Sequence, residues 1–332
     1  MLHRVCLLIM LCLLAPALAR GQTAPAEAAL QRLGRGVNVL GHDPLWADPA
    51  KMRLRMDRFR RIREGGFQHV RVNLHAFAHL DKESQLDPGW LSSLDGVIEA
   101  ATRAGLLIIL DEHDYRACGE APESCRVKLL SVWEQLAARY SAKPDSVLFE
   151  ILNEPNGKLT PELWNALLLD ALAVIRRTNP GRIVIVGPGQ YSSFRALGTL
   201  VLPANDANII VTVHYYDPFR FTHQGAPWIH PSLDNAIGTP WGTAQERERV
   251  ERDFTGIAAW SREHGRPVLL GEFGAYDKAD MASRVAWTST VARAAETHGL
   301  AWSYWQFEDS FGVFDIKADG WVEPIHQALM PQ

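Results

Sequence analysis

Short apolar runs alternate with helical patterns along nearly the whole chain, and this limits the fold more than any other feature. The runs lie at 36–40, 69–74, 106–110, 146–152, 182–186, 208–214, 267–270 and 300–305. Helical patterns fall at 51–64, 91–104, 124–140, 161–177, 245–264 and 280–298, with a weaker one at 192–201 and a last one after Val322. Apolar strands separated by helices imply a covered parallel sheet, and eight of them predict an α/β fold of the (β/α)8 TIM-barrel kind. An open doubly wound sheet is the main competitor. It would carry a glycine-rich phosphate loop after an early strand. Gly34-Arg35-Gly36 precedes the first strand and lacks a third glycine, so it reads as a turn. The 332 residues leave room for one such domain, which needs about 250.

Polar residues gather at the carboxyl ends of these runs: Arg71 and Asn73, Asp111 and His113, Asn153 and Glu154, His214 and Tyr216, Glu272, Trp305. A barrel brings those positions to one mouth. Two pieces stand out, Ile151-Leu152-Asn153-Glu154-Pro155 and Leu269-Leu270-Gly271-Glu272-Phe273-Gly274. Each is an apolar run ending on a glutamate, with a residue behind it that stops or bends the strand. A carboxylate facing a cleft is costly unless it is paired or used. For either glutamate alone, a salt bridge to a structural arginine is the plain alternative. As a pair across a cleft, two carboxylates are the minimal equipment for cutting a glycosidic bond.

With Arg71 and the His214-Tyr215-Tyr216 segment in matching order, these motifs make the chain resemble glycoside hydrolase family 5, the cellulase family, over residues 33–325. The run from Tyr215 to Phe219, with Phe221 to Ala226 and Trp228, is similar to its bacterial endoglucanases. The resemblance implies that Glu154 is the general acid/base and Glu272 the nucleophile of a retaining reaction through a covalent glycosyl-enzyme. It places Arg71 near the nucleophile and makes Tyr216 a donor to the same carboxylate. Asn153 would bind the 2-hydroxyl of the sugar being cleaved, His113 and His214 would line its subsite, and Trp305 would form its floor. Core roles are the alternatives for both histidines, Tyr216 and Trp305. Asp111, Glu112 and Asp114 crowd His113 and depart from the simplest family pattern. They allow a metal reading through Asp111, His113 and Asp114, although strand alternation separates some of them. The implied chemistry needs no cofactor. The expected substrate is a β-1,4-glucan, and a β-mannan would need the same pair. A non-catalytic sugar-binding barrel is disfavoured by Arg71 and Tyr216 beside the expected nucleophile. A serine esterase lacks its Gly-x-Ser-x-Gly elbow.

Among eleven tryptophans, Trp46, Trp228 and Trp241 fall in loops and are candidates for outer sugar subsites. Trp133, Trp164, Trp260 and Trp287 sit in helical patterns and read as packing. Arg58, Arg60, Arg61 and Arg63 read as a solvated helix face. Residues 1–19 carry Arg4, an apolar run from Val5 to Leu14 and Ala17-Leu18-Ala19, the pattern of a cleaved signal peptide. An uncleaved membrane anchor is the alternative. Residues 20–32 read as a flexible lead-in and 33–332 as the barrel. Export to the periplasm or beyond favours a disulfide between Cys118 and Cys125 that pins one loop, rather than a metal pair with His113. The net charge of −4 is spread along the chain, with no basic patch for nucleic acid. A soluble monomer acting on a β-linked glycan, with no membrane contact after signal cleavage, is expected.

Overall fold

The structure, a computed structural model, describes residues 24–41 and 43–331. The expected signal peptide at 1–19 and the first residues of the lead-in lie outside the described residues. Eight parallel strands close into a barrel: β1 Arg35–Val39, β2 His69–Leu74, β3 Leu107–Glu112, β4 Val147–Glu150, β5 Val184–Val186, β6 Ile209–His214, β7 Val268–Glu272 and β8 Ala301–Tyr304. Each pairs with its neighbour in sequence, and β1 closes the ring on β8 with Arg35 opposite Trp302. This is the expected (β/α)8 barrel. The register shifts between Val213 and His214, so His214 lies opposite Glu272.

Local chemistry sets where the helices begin and end. The helix α1 spans Pro25–Leu33, α2 Arg58–Glu64, α3 Pro88–Arg103, α4 Tyr115–Glu120, α5 Pro122–Arg139 and α6 Pro161–Thr178. Asp87 caps α3 by accepting from the Trp90 amide, and Thr160 caps α6 by accepting from the Leu163 amide. Proline follows each cap, where its missing N–H costs nothing. Thr243 and Glu246 form a reciprocal capping box at the start of the helix Ala244–His264. Gly265 ends that helix in the left-handed conformation that glycine adopts without a Cβ penalty. The helix Met281–Thr297 and the final helix Glu323–Leu329 complete the outer layer.

Three expectations are corrected. The segment 51–64 is α-helical only from Arg58, with Lys51 ending a separate 3-10 turn that begins at Pro49. The Asp43 carboxylate accepts from the amides of Leu45, Arg53 and Leu54, so those donors are unavailable to helical carbonyls. Arg58 is buried rather than solvated, lying over Phe314 and paired with Asp319. Arg60, Arg61 and Arg63 are exposed as expected. The part of the lead-in from Pro25 is helix α1, not flexible chain. Its Ala26, Ala29, Leu30 and Leu33 pack against Ile109, Leu148, Ile185, Ile210 and Leu269, sealing the amino-terminal end of the barrel.

The main core lies between sheet and helices. Trp133, Trp164 and Trp287 are fully buried there. Their indole N–H groups donate to the carbonyls of Ile151, Gly187 and Asp217, which lets large apolar rings be buried without an orphaned donor. Cys118 and Cys125 form a disulfide, but it joins two helices, α4 and α5, rather than pinning a loop. Among the described residues no helix is long and apolar enough to cross a membrane.

Candidate active site

Arg71 is the centre of the barrel mouth. It lies on β2, fully buried, in a position that no cation could hold without compensating anions. Its Nε and Nη2 donate to both oxygens of Glu150 on β4, at 2.7 and 2.8 Å. Its Nη1 donates to Glu272 Oε1 and Asn38 Oδ1, each at 2.8 Å. Nη2 also reaches Asn153 Oδ1 at 2.8 Å and Asp111 Oδ2 at 3.1 Å. The guanidinium is therefore fixed in a plane facing three carboxylates, and their charge keeps it protonated well above its usual range despite burial.

Glu272 ends β7. The Tyr216 hydroxyl donates to its Oε2 at 2.9 Å, opposite the Arg71 contact. The flanking glycines are needed for space: a Cβ on Gly271 would overlap Thr212 Oγ1, and one on Gly274 would overlap the Trp305 carbonyl oxygen. Glu154 follows β4 with φ of 42°, a left-handed conformation that costs about 1–2 kcal/mol for a residue with a Cβ. Asn156 Nδ2 donates to the Glu154 carbonyl at 2.8 Å and helps hold that geometry.

His214 stands between the two glutamates. Its Nδ1 is 2.8 Å from Glu154 Oε1 and 3.5 Å from Glu272 Oε2. One donor atom from each of Glu154, His214 and Glu272 lies within 4.8 Å of the others. That set could also hold a cation, although the same atoms are engaged with one another and with Tyr216. The expected alternative through Asp111, His113 and Asp114 is split, because Asp114 turns away to accept from the Phe77 amide at 2.8 Å.

Burial dominates the electrostatics. It pushes Glu154 up to about 8, with Arg71 opposing and Asp111 adding to the rise. It pushes Glu272 up to about 7, where His214 and Arg71 hold it down and Glu154 raises it. Burial also takes His214 down to about 4, so the imidazole is neutral at pH 7. The two carboxyls are both raised, and Glu154 the more so.

His113 and Trp305 stack at 5.7 Å between ring centres, nearly parallel, on the wall of the mouth. Trp228 is 40% exposed and packs edge-on against Tyr276. Trp46 and Trp241 are corrected. Each is buried, with its ring covered by neighbouring side chains. Trp46 packs on Trp90 and donates its indole N–H to the Asn73 carbonyl, while Trp241 packs on Phe221 beneath Arg247. Local sequence showed both as loop residues and could not show that neighbouring elements cover them. Glu150 and Asn38 were missed. Their signal was there: each is a polar side chain inside an apolar run of the sequence, Asn38 within 36–40 and Glu150 within 146–152.

A (β/α)8 barrel with two glutamates at its carboxyl-end mouth, bridged by a histidine and backed by a buried arginine, defines the class of this protein. The sequence profile of the cellulase family, glycosyl hydrolase family 5, matches residues 31–310, and the chain belongs to that family. It is 31% identical over 293 residues to Endoglucanase H of Acetivibrio thermocellus, covering 86% of this chain and 31% of that protein. The chain thus spans about a third of that relative's length. Thermotoga maritima Cel5A in complex with cellobiose superposes with a TM-score of 0.87 at 36% identity, covering 92% of this chain and 99% of that one. The same enzyme in complex with mannotriose gives 0.87 at 37% identity, with the same coverage.

Proposed function

We propose that the protein is a retaining, endo-acting glycoside hydrolase of β-1,4-glucans, exported and acting as a monomer. The observation that carries this reading is the spacing of Glu154 and Glu272, whose nearest oxygens lie within 4.8 Å. Retaining enzymes hold their carboxyl groups about 5–5.5 Å apart, whereas inverting ones leave about 6.5–9.5 Å for a water.

The two glutamates divide the work by environment. Glu272 receives Arg71 and Tyr216, donors that stabilise a carboxylate, so it attacks the anomeric carbon. Glu154, raised further, carries the proton to the departing glycosidic oxygen. The glycosyl ester on Glu272 is then opened by water, whose proton returns to Glu154 as the C–O bond to Glu272 breaks. Arg71 and Tyr216 recover the freed carboxylate. Asn153 contacts the 2-hydroxyl, His113 and His214 line the same subsite, and Trp305 covers the apolar face of the ring, with Trp228 further out along the chain. A β-mannan is the second reading, supported by the mannotriose complex of the Thermotoga relative.

The test compares wild type with Glu272→Gln on carboxymethylcellulose, β-1,3/1,4-glucan, xyloglucan and glucomannan. Reducing ends, product lengths and the anomer first released, by NMR, are followed together. Rapid internal cleavage with β-product, lost in the variant, is expected. Preference for glucomannan would move the substrate to mannan. Release of α-product, or undiminished activity in the variant, would overturn the mechanism.

A further inference from the structure

We infer that Asp111 is a positioning residue for the transition state: it fixes the tautomer of His113 and, through it, the orientation of the Asn153 amide. The inference rests on the glycosidase reading above, in which Asn153 holds the 2-hydroxyl.

Asp111 lies on β3 with no solvent exposure. Its Oδ2 is surrounded by donors: Asn73 Nδ2 at 3.0 Å, Arg71 Nη2 at 3.1 Å and His113 Nδ1 at 2.6 Å. A carboxylate oxygen can only accept, so at 2.6 Å a His113 proton sits on Nδ1, while Arg71 Nη2 adds an ion pair rather than a further hydrogen bond. The opposite nitrogen, Nε2, is then an acceptor. It lies 3.4 Å from Asn153 Nδ2. Asn153 Oδ1 accepts from Arg71 Nη2 at 2.8 Å.

The amide of Asn153 is thus read from both sides. Its oxygen faces a guanidinium and its nitrogen faces a lone pair. Turning it over would set NH2 against Arg71 and a carbonyl oxygen against the imidazole lone pair, two repulsive contacts in a buried site. One amide hydrogen remains for the substrate. If His113 carried its proton on Nε2, that hydrogen would oppose the Asn153 amide hydrogens and the arrangement would fail. Asp111 prevents this without touching the sugar. It also adds a second tie to Arg71, so the cation behind Glu272 and the amide beside Glu154 share one anchor. Contacts to the 2-hydroxyl strengthen as the oxocarbenium-like transition state forms, so the loss should fall on kcat rather than on KM.

The experiment pairs Asp111→Ala with two substrates, 4-nitrophenyl β-cellobioside and its analogue lacking the 2-hydroxyl on the ring beside the aglycone. On the parent, kcat should fall by about 10²-fold with KM nearly unchanged, the scale expected when a contact is misplaced by an ångström. On the 2-deoxy analogue the loss should shrink to less than about tenfold, because the contact being positioned is absent. Asp111→Asn returns a neutral acceptor to the same place and should recover part of the parent activity. His113→Ala removes the relay while leaving the buried carboxylates in place, and should reproduce the substrate dependence. If Asp111→Ala fails to fold, by circular dichroism, those two variants decide the matter. Equal losses on both substrates, or a loss on the parent below about threefold, would overturn the inference. A wild type that cleaves neither glycoside would remove the glycosidase reading, and this inference with it.

Discussion

Tyr216 and Arg71 give Glu272 two donors, and Glu154 is held by an imidazole that is neutral at pH 7. Replacing Tyr216 by Phe removes one hydrogen bond to a charged acceptor, worth about 1.5–3 kcal/mol, so kcat/KM should fall by about 10–100-fold. The same change takes away a group that favours the ionised nucleophile, and the acid limb of the pH profile should move to higher pH. The pair as a whole should give a narrow bell between about 7 and about 8, with Glu272 ionised and Glu154 protonated. Glu154→Gln should abolish the alkaline limb on an aryl glycoside with an activated leaving group. It should also lower the acid limb, since Glu154 raises its neighbour. Stability should move the other way. Both carboxyls titrate higher in the folded chain than in the unfolded one, so the native state binds more protons between their ordinary range and about 8. Stability is therefore lost as pH rises through that window. Glu154→Gln should raise the Tm at pH 8 more than at pH 5, by calorimetry. An equal shift at both values would show that Glu154 is not titrating in that window.

At the scale of elements, the carboxyl ends of the strands were legible because a polar side chain closing an apolar run has few other uses. Arg71, Asn153, Glu154, His214, Tyr216 and Glu272 were found that way, and the fold brings them to one place. Asp111 was seen but read as crowding, because its three polar partners come from β2 and from its own strand's end, a relation that only tertiary structure displays. The start of α2 was not legible, since it depends on a carboxylate that intercepts amides ten residues on. The disulfide was legible as a pair but not as a brace. It ties α4 to α5, and α4 in turn supports the chain just after Glu154: Lys158 N–H donates to the Gly119 carbonyl at 2.8 Å, and Asn156 Nδ2 reaches the Tyr115 carbonyl at 3.4 Å. The double variant Cys118→Ser, Cys125→Ser should lose about 2–3 kcal/mol by the chain-entropy argument for so short a ring, read from urea unfolding. It should also lower kcat with KM held, because the loop that loosens carries the proposed acid and not the sugar-binding walls. A fall in KM-dependent binding with kcat intact would separate the disulfide from the acid.

The whole molecule is asymmetric from end to end. Its carboxyl-end mouth buries Arg71, Asp111, Glu150 and Glu272 in one connected cluster, an arrangement that favours specificity over stability. Its amino-terminal end is apolar and closed by α1. Stability and chemistry should therefore separate along the barrel axis, as they do when conserved geometry lies at the top and packing at the bottom. That α1 exists at all was written in the chain: Pro25 at its first turn, Glu27 near its start, Arg32 in its last turn and Gly34 with positive φ after it. It was read as a flexible lead-in because it follows an apolar signal-like segment and its partners, Ile109 to Leu269, are scattered over five strands. Leu33 is fully buried against them. Leu33→Ala should cost about 2–5 kcal/mol of folding stability while leaving kcat and KM unchanged at 25 °C. Arg71→Lys should do the reverse at the other end. Lysine keeps the charge but cannot match the guanidinium's fork, so the bidentate contact with Glu150 and the ties to Asn153 and Glu272 are not made together. The pair of variants, compared by urea unfolding and by turnover, tests the division directly: if Leu33→Ala lowered kcat as much as it lowered stability, the two ends of the barrel would be coupled and the separation argued here would not hold.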